Sequence, residues 1–162
     1  TLLNPVELAE NAATLDAITG GRFVLGVGLG YRPEEFDAFG IPEKKVRVFL
    51  DKLDVVKRLL EGESVTAEGL GYKLVDQRLA MRPIQQPRPP IWLAANADSA
   101  VKRAARVADT WTVNPHANLA ELARQTAMFH EARAEAGLPP VTREWFDARK
   151  AQLSVARMPS IK

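Results

Sequence analysis

Three short stretches of this chain carry the residue types and spacings from which chemistry could be built. The first is Gly26-Val27-Gly28-Leu29-Gly30-Tyr31, at the end of an apolar run. Alternating glycines there let a planar or phosphorylated ligand lie against main chain, and they equally permit a bulge or close strand packing. The second is Ala94-Ala95-Asn96-Ala97-Asp98, small residues leading into a helix start. Backbone N–H groups and the positive end of a helix dipole at such a place can hold a phosphate, and an ordinary capped turn has the same appearance. The third, Val113-Asn114-Pro115-His116, ends on an imidazole that could act as acid, base or hydrogen-bond donor toward a substrate, or simply be solvated.

Other chemistries are excluded by spacing and composition. Counted from Gly26, the third glycine of a G-x-G-x-x-G fingerprint falls on Tyr31, and counted from Gly28 it falls on Pro33, so neither register is a dinucleotide turn. No G-K-[ST] triplet is present, which removes the P-loop. There is no cysteine, only His116 and His130 offer imidazole, no metal-ligand spacing or Ser-His-Asp arrangement appears, and no metal is expected. Glu34 and Glu35, adjacent in a loop, read as solvated acids, and His130 as a surface or core-filling residue.

The elements that must position these stretches alternate. Asn4-Pro5-Val6-Glu7 opens a helix with a cap, a proline at the first helical position and an acid three residues on; Leu8, Ala12, Leu15 and Ile18 form its stripe, and Thr19-Gly20-Gly21 stops it. A strand from Phe23 to Val27, buried on both faces, comes next. Residues 33–42 read as an irregular loop, and 44–61 as the clearest helix, with Val46, Phe49, Leu50, Leu53, Val56 and Leu60 on one face and Lys52 off it. Residues 64–82 read as an inserted hairpin, and Pro83, Pro87, Pro89 and Pro90 stiffen the approach to a strand at Ile91-Trp92-Leu93-Ala94. A helix through Val101, Ala104, Ala105 and Ala108, capped by Asp98 or Ser99, leads to a third strand at Thr110 to Val113. Asn118 with Glu121 then opens a helix carrying Leu119, Leu122, Ala123, Phe129 and Ala132 up to Gly137.

Strands alternating with helices imply a parallel sheet, and in parallel α/β folds ligands gather where strands end. All three stretches lie at such ends and therefore on one side of the sheet. The segment from Val141 to Lys162 departs from the rhythm: Trp145 onward reads as helix where a strand is due.

The 162 residues amount to one domain with enough apolar content for a core, and a net charge of +2 with interspersed signs gives no reason to expect nucleic acid. No run approaches membrane-spanning length and no signal peptide is recognisable, so a cytoplasmic location is expected. Starting at Thr1 directly on a helix opening, the chain reads as a piece of something longer.

Taken together, Asn4-Pro5, the run from Leu15 to Phe23, Leu25 to Tyr31, Glu35-Phe36 and Phe39-Gly40 resemble one signature of the bacterial luciferase-like monooxygenases. Pro89-Pro90-Ile91-Trp92-Leu93-Ala94-Ala95, Ala104-Ala105-Arg106 and Ala108-Asp109-Thr110-Trp111 resemble a second. The resemblance covers roughly residues 4 to 140. It implies the central part of a (β/α)₈ TIM-type barrel with an inserted β-hairpin, occupying residues 1–140 and followed by an atypical tail over 141–162. It also implies FMN, or the deazaflavin F420, at the C-terminal strand ends, and oxidation of a small organic substrate with reduced flavin and oxygen.

By the same resemblance Val27, Gly28, Leu29, Gly30 and Tyr31 line the flavin ring, and Ala94, Ala95, Asn96 and Ala97 hold its phosphate, although Ala95-Asn96-Ala97 stands where the family uses glycines. A closed barrel of this type takes about 250 residues, so the chain is expected to be incomplete. Its uncovered strand edges predict association, including as a homo-oligomer. A non-catalytic fragment of the same fold, or another barrel enzyme for a phosphate ligand, are the competing readings.

Overall fold

The computed structural model describes residues 2–41, 45–145 and 147–148. Along the chain these form α1 (Pro5–Ile18), β1 (Leu25–Gly28), α2 (Pro33–Ala38), α3 (Lys45–Leu60), β2 (Val65–Gly69), β3 (Tyr72–Gln77), β4 (Ile91–Ala94), α4 (Asp98–Val107), β5 (Thr110–Thr112) and α5 (Leu119–Glu135). They group into two units. Of the described residues, one takes those up to Phe23 and from Leu29 to Pro89; the other takes Val24–Gly28 and those from Pro90 to residue 148.

In the first unit α1 packs on α3, and the hairpin β2–β3 is antiparallel, as expected from its alternation. Asn4 caps α1, its side-chain oxygen accepting from the N–H of Val6 at 2.9 Å. The buried side of α1, however, is Pro5, Ala9, Ala12, Ala13 and Asp16, while Leu15 and Ile18 of the expected stripe are exposed, Ile18 by 72%. Small residues let two helix backbones approach closely, and the larger apolar atoms come from α3: Phe49, Leu53, Val55, Val56, Leu59 and Leu60 are all buried. Each such side chain stabilises by about 1.5–3 kcal/mol on leaving water.

Two buried polar groups tie loops to these helices. The carboxylate of Asp16 accepts from the Gln85 N–H (2.9 Å) and from Gln85 Nε2 (2.7 Å), while Gln85 Nε2 also donates to the carbonyl of Phe23 (2.7 Å). Lys52, expected off the apolar face, is buried and donates its ammonium to the carbonyl of Leu3 at 3.1 Å; burial pushes its pKa below the ordinary lysine range. The long aliphatic stem explains the difference, because it packs like a hydrophobe while the head reaches a carbonyl. Residues 33–38, expected to be irregular, form α2, with Pro33 at its start and Phe36 as its buried residue.

In the second unit β1, β4 and β5 make a parallel sheet in that order, with Leu25 opposite Ile91, Gly28 opposite Ala94, and Ala94 opposite Thr112. The first strand is shifted relative to the expected Phe23 to Val27. It is also not buried on both faces: Leu25 is buried, whereas Gly26 and Gly28 are exposed among the described residues. Asp109 locks the entry of β4, its carboxylate accepting from the Ile91 N–H at 2.7 Å while its own N–H donates to the Ile91 carbonyl.

Helix α4 packs on α5. Of the expected apolar face of α5, Phe129 and Ala132 are buried, whereas Leu119 is 85% exposed and Ala123 exposed, and Gln125 and Arg133 complete the buried side. Arg133 donates to the carbonyls of Ala105 (3.2 Å) and Ala108 (3.0 Å) through Nη1 and to that of Pro139 (2.9 Å) through Nε, closing the C-terminal end of α4. Of the segment beyond Val141, a helical turn covers 143–145 and 147–148; the expected continuation through Leu153 and Ala156 lies outside the described residues.

Replacing Asp16 by Ala leaves two donors of Gln85 without their acceptor and is expected to lower stability by about 3 kcal/mol, with Asp16→Asn, which keeps one oxygen, losing roughly half as much. Urea unfolding monitored by tryptophan fluorescence reads both. Arg133→Met keeps the stem but strands three carbonyls, and is expected to cost about 2–4 kcal/mol in the same measurement.

Candidate functional site

The parallel pairing of β1 with β4 puts Gly28 directly beside Ala94, so the strand ends that precede two of the three candidate stretches are adjacent. Glycine has a different cause at each position of the first stretch. At Gly26 a Cβ would meet no atom within 4 Å, and at Gly28 only the Cβ of Ala94 at 3.9 Å, an ordinary contact. Neither residue has a positive φ, so among the described residues neither backbone conformation nor close packing explains them; what they leave is open space over the strand end. Gly30 is otherwise: its φ is +88° and a Cβ would come 2.9 Å from the Phe36 ring. Leu29, Gly30 and Tyr31 continue the chain beyond the strand and belong to the first unit, with Tyr31 85% exposed.

The turn after β4 is held by side chains from β5 and α5. The indole N–H of Trp111 donates to the carbonyl of Ala95 at 2.8 Å, and Nε2 of Gln125 donates to the carbonyl of Asn96 at 2.7 Å and to Oδ1 of Asp98 at 3.3 Å. Ala95 is buried; Ala94, Asn96 and Ala97 are exposed. The expected cap at Asp98 or Ser99 is not formed. Ala97 is the N-cap residue of α4, with no side-chain cap bond, and Asp98 lies one position inside the helix. Its carboxylate is taken instead by Arg124 in a bidentate pair, Nη1 to Oδ2 at 2.7 Å and Nη2 to Oδ1 at 2.9 Å. A fork of two parallel hydrogen bonds outcompetes a single amide for a carboxylate. It also neutralises the charge that would repel an anion from the first turn of α4. The same hydrogen bonds, from Arg124 first and Gln125 second, hold Asp98 below the usual carboxylate range.

His116 sits in an exposed turn after β5, where its backbone N–H donates to Oδ1 of Asn114 at 3.0 Å. His130 is exposed on α5, edge-on to Phe129. Glu34 and Glu35 are exposed on α2, Glu35 within 3.4 Å of Arg32. Among the described residues no group of His, Cys, Asp and Glu could hold a metal ion.

A cleft of about 370 Å³ lies elsewhere, lined by Gly62, Arg78, Leu79, Ala80 and Arg82. Its arginines are committed to backbone: Arg78 donates to the carbonyl of Gly62 and Arg82 to that of Glu61, each at 3.0 Å, which closes the C-terminal end of α3.

The sequence profile of the luciferase-like monooxygenases matches residues 1–152. The chain belongs to the luciferase-like monooxygenase family. An uncharacterized protein of Sinorhizobium fredii, y4vJ, is 32% identical over 106 residues, a match spanning 65% of this chain and 30% of that protein. Among solved structures the chain is similar to monooxygenase RslO1 from Streptomyces bottropensis, with a TM-score of 0.74 and 25% identity over 96% of this chain and 52% of that one. It is also similar to an F420-dependent secondary alcohol dehydrogenase in complex with an F420-acetone adduct, with a TM-score of 0.72 and 26% identity over 85% of this chain and 42% of that one.

The chain therefore spans about a third of the curated relative and about half of the solved structures it matches, and its α/β architecture is part of a TIM-type barrel, as the resemblance implied. No helix among the described residues is long and apolar enough to cross a membrane.

What sequence reasoning missed in this luciferase-like chain is the support around the second strand end: Trp111, Arg124 and Gln125. A polar residue at 125 inside the apolar stripe of α5 was the one signal for it.

The Asp98–Arg124 pair yields a pH prediction. A carboxyl whose folded pKa is depressed contributes stability above its unfolded value and loses that contribution as pH falls through the folded one. Asp98 in the intact chain is therefore expected to titrate below the ordinary carboxylate range. Arg124→Ala raises it toward that range, read from the Asp98 side-chain carbon shift by NMR.

Proposed function

We propose that this chain supplies part of the flavin site of an oxidoreductase, most simply a monooxygenase acting on a small organic substrate with reduced flavin and oxygen, with residues 1–140 as its share of the barrel. The observation that carries this reading is the open space at Gly26 and Gly28, the latter in register with Ala94, beside a turn whose neighbouring carboxylate is already neutralised by Arg124. Family membership and the F420 complex of a structural neighbour support a flavin-type cofactor, FMN or F420.

The residues fit such a group in two respects. The bare backbone at Gly26 and Gly28 can accept a flat ring, and the first turn of α4 offers amides with no side-chain cap to a phosphate. In this reading Val27 and Gly28, with Leu29, Gly30 and Tyr31 directly following in the chain, line the ring, and Ala94, Ala95, Asn96 and Ala97 hold the phosphate tail. The cofactor, when bound, supplies the redox chemistry. The chain's own part is to bind and orient it and to exclude water, while His116, after the neighbouring strand, offers a hydrogen-bond donor or proton acceptor to the substrate.

Titration with FMN and with F420, followed by quenching of cofactor fluorescence, is expected to show saturable uptake of one of them. A chain that takes up neither, or that binds a sugar phosphate in their place, overturns the reading. Gly28→Ala puts a Cβ into the open space with its nearest neighbour, the Cβ of Ala94, at an ordinary 3.9 Å, and is expected to lower flavin affinity roughly tenfold while leaving the thermal midpoint unchanged. In the active holoenzyme His116→Ala is expected to lower turnover by roughly 10²-fold with flavin affinity intact.

A further inference from the structure

The geometry points to Gln125 of α5, with Trp111 of β5, as positioning residues that turn two consecutive peptide planes so that the amides of Asn96 and Ala97 present themselves to the cofactor phosphate. This rests on the flavin reading above and adds to it the side chains that make the turn receptive.

A trans peptide is planar, and its C=O and N–H point in opposite directions. Trp111 Nε1 holds the carbonyl of Ala95, so the N–H of Asn96, in the same peptide plane, is aimed away from the indole. Gln125 Nε2 holds the carbonyl of Asn96, so the N–H of Ala97 is aimed away from α5. Asn96 and Ala97 are exposed, and each N–H is aimed away from the side chain that holds the carbonyl of its own peptide plane. The next two amides, of Asp98 and Ser99, are first-turn donors of a helix with no side-chain cap. Among the described residues these four successive amides have no hydrogen-bond acceptor, and in this reading they are left for the phosphate.

Gln125 is 2% exposed, on a face it shares with Phe129 and Ala132. A buried amide is costly unless bonded, and an apolar residue there would pack on α4 as well. Its Nε2 bonds go to the turn: to the carbonyl of Asn96 and to the carboxylate of Asp98. A glutamate of the same shape could donate to neither and would place a second carboxylate beside Asp98. The arrangement therefore asks for an N–H donor at this position, which glutamine supplies without adding charge.

The test compares FMN with riboflavin, which lacks only the phosphate, in the wild-type chain and in Gln125→Leu, Gln125→Glu and Trp111→Phe. The expected result is a fall of roughly tenfold or more in FMN affinity with riboflavin affinity unchanged, so that the preference for the phosphorylated ligand collapses. A folded Gln125→Leu chain that keeps the wild-type preference, or that loses affinity for both ligands equally, overturns the inference in favour of a purely packing role. Should Gln125→Leu not fold, Trp111→Phe, which keeps a ring stacked on Phe129, decides alone by the same ratio.

A flavin-free measurement stands beside it. Inorganic phosphate is expected to shift the amide resonances of Asn96 and Ala97 in the wild-type chain and not in the variants. Wild-type amides that do not respond to phosphate overturn the inference. Failure of the flavin reading appears as absent uptake by the wild-type chain, whereas failure of this inference appears as a variant whose FMN-to-riboflavin ratio does not move.

Discussion

The second unit depends on a grip that α5 takes on both ends of α4. Gln125 bonds the turn that opens α4, and Arg133 bonds the carbonyls that close it. The two residues are eight positions apart, about 12 Å along a helix, close to the length of α4 itself. Because the earlier residue meets the earlier end, the two helices run in the same direction, as helices following parallel strands do. A helix leaves orphan donors at its start and orphan acceptors at its end. Here a neighbouring helix meets the acceptors with a guanidinium and fixes the entry with an amide, and among the described residues no side chain caps the first-turn donors.

The same logic recurs in the first unit. Arg78 and Arg82 close the end of α3, and Asp16 with Gln85 ties α1 to the proline-rich approach to β4. Asp16, Gln125 and Arg133, all buried, are directed at loop and helix-end backbone. That accounts for an amphipathic pattern that is poorer than the packing is good: α1 and α5 bury Asp16, Gln125 and Arg133 on faces that a hydrophobicity count reads as interrupted.

Local signals were legible where the physics is local. The cap at Asn4, the stop at Gly20 and Gly21, the strand Ile91–Ala94 and the cap at Asn118 were all readable from residue type and spacing, and all are present. The polar members of the buried faces of α1 and α5, the helix at residues 33–38 and the burial of Lys52 were not, because each depends on what lies opposite. Small residues opposing a large apolar helix, or a polar head reaching a carbonyl, leave no periodic trace. Of the site, the strand ends and their small residues were visible in the chain, whereas Trp111, Arg124 and Gln125 were not, since side chains from separate elements converge on one turn.

By itself the sequence determined the alternation of helix and strand, the inserted hairpin, the family and the small-residue stretches at the strand ends, because these follow from local conformational preference and short-range spacing. Only the tertiary structure separated the three glycines by cause: Gly30 is required by its backbone and by Phe36, whereas Gly26 and Gly28 leave space that no described atom fills. The tertiary structure likewise decided that Asp98 pairs with Arg124 rather than capping its own helix, since a bidentate ion pair forms only when residues 26 positions apart in the chain meet.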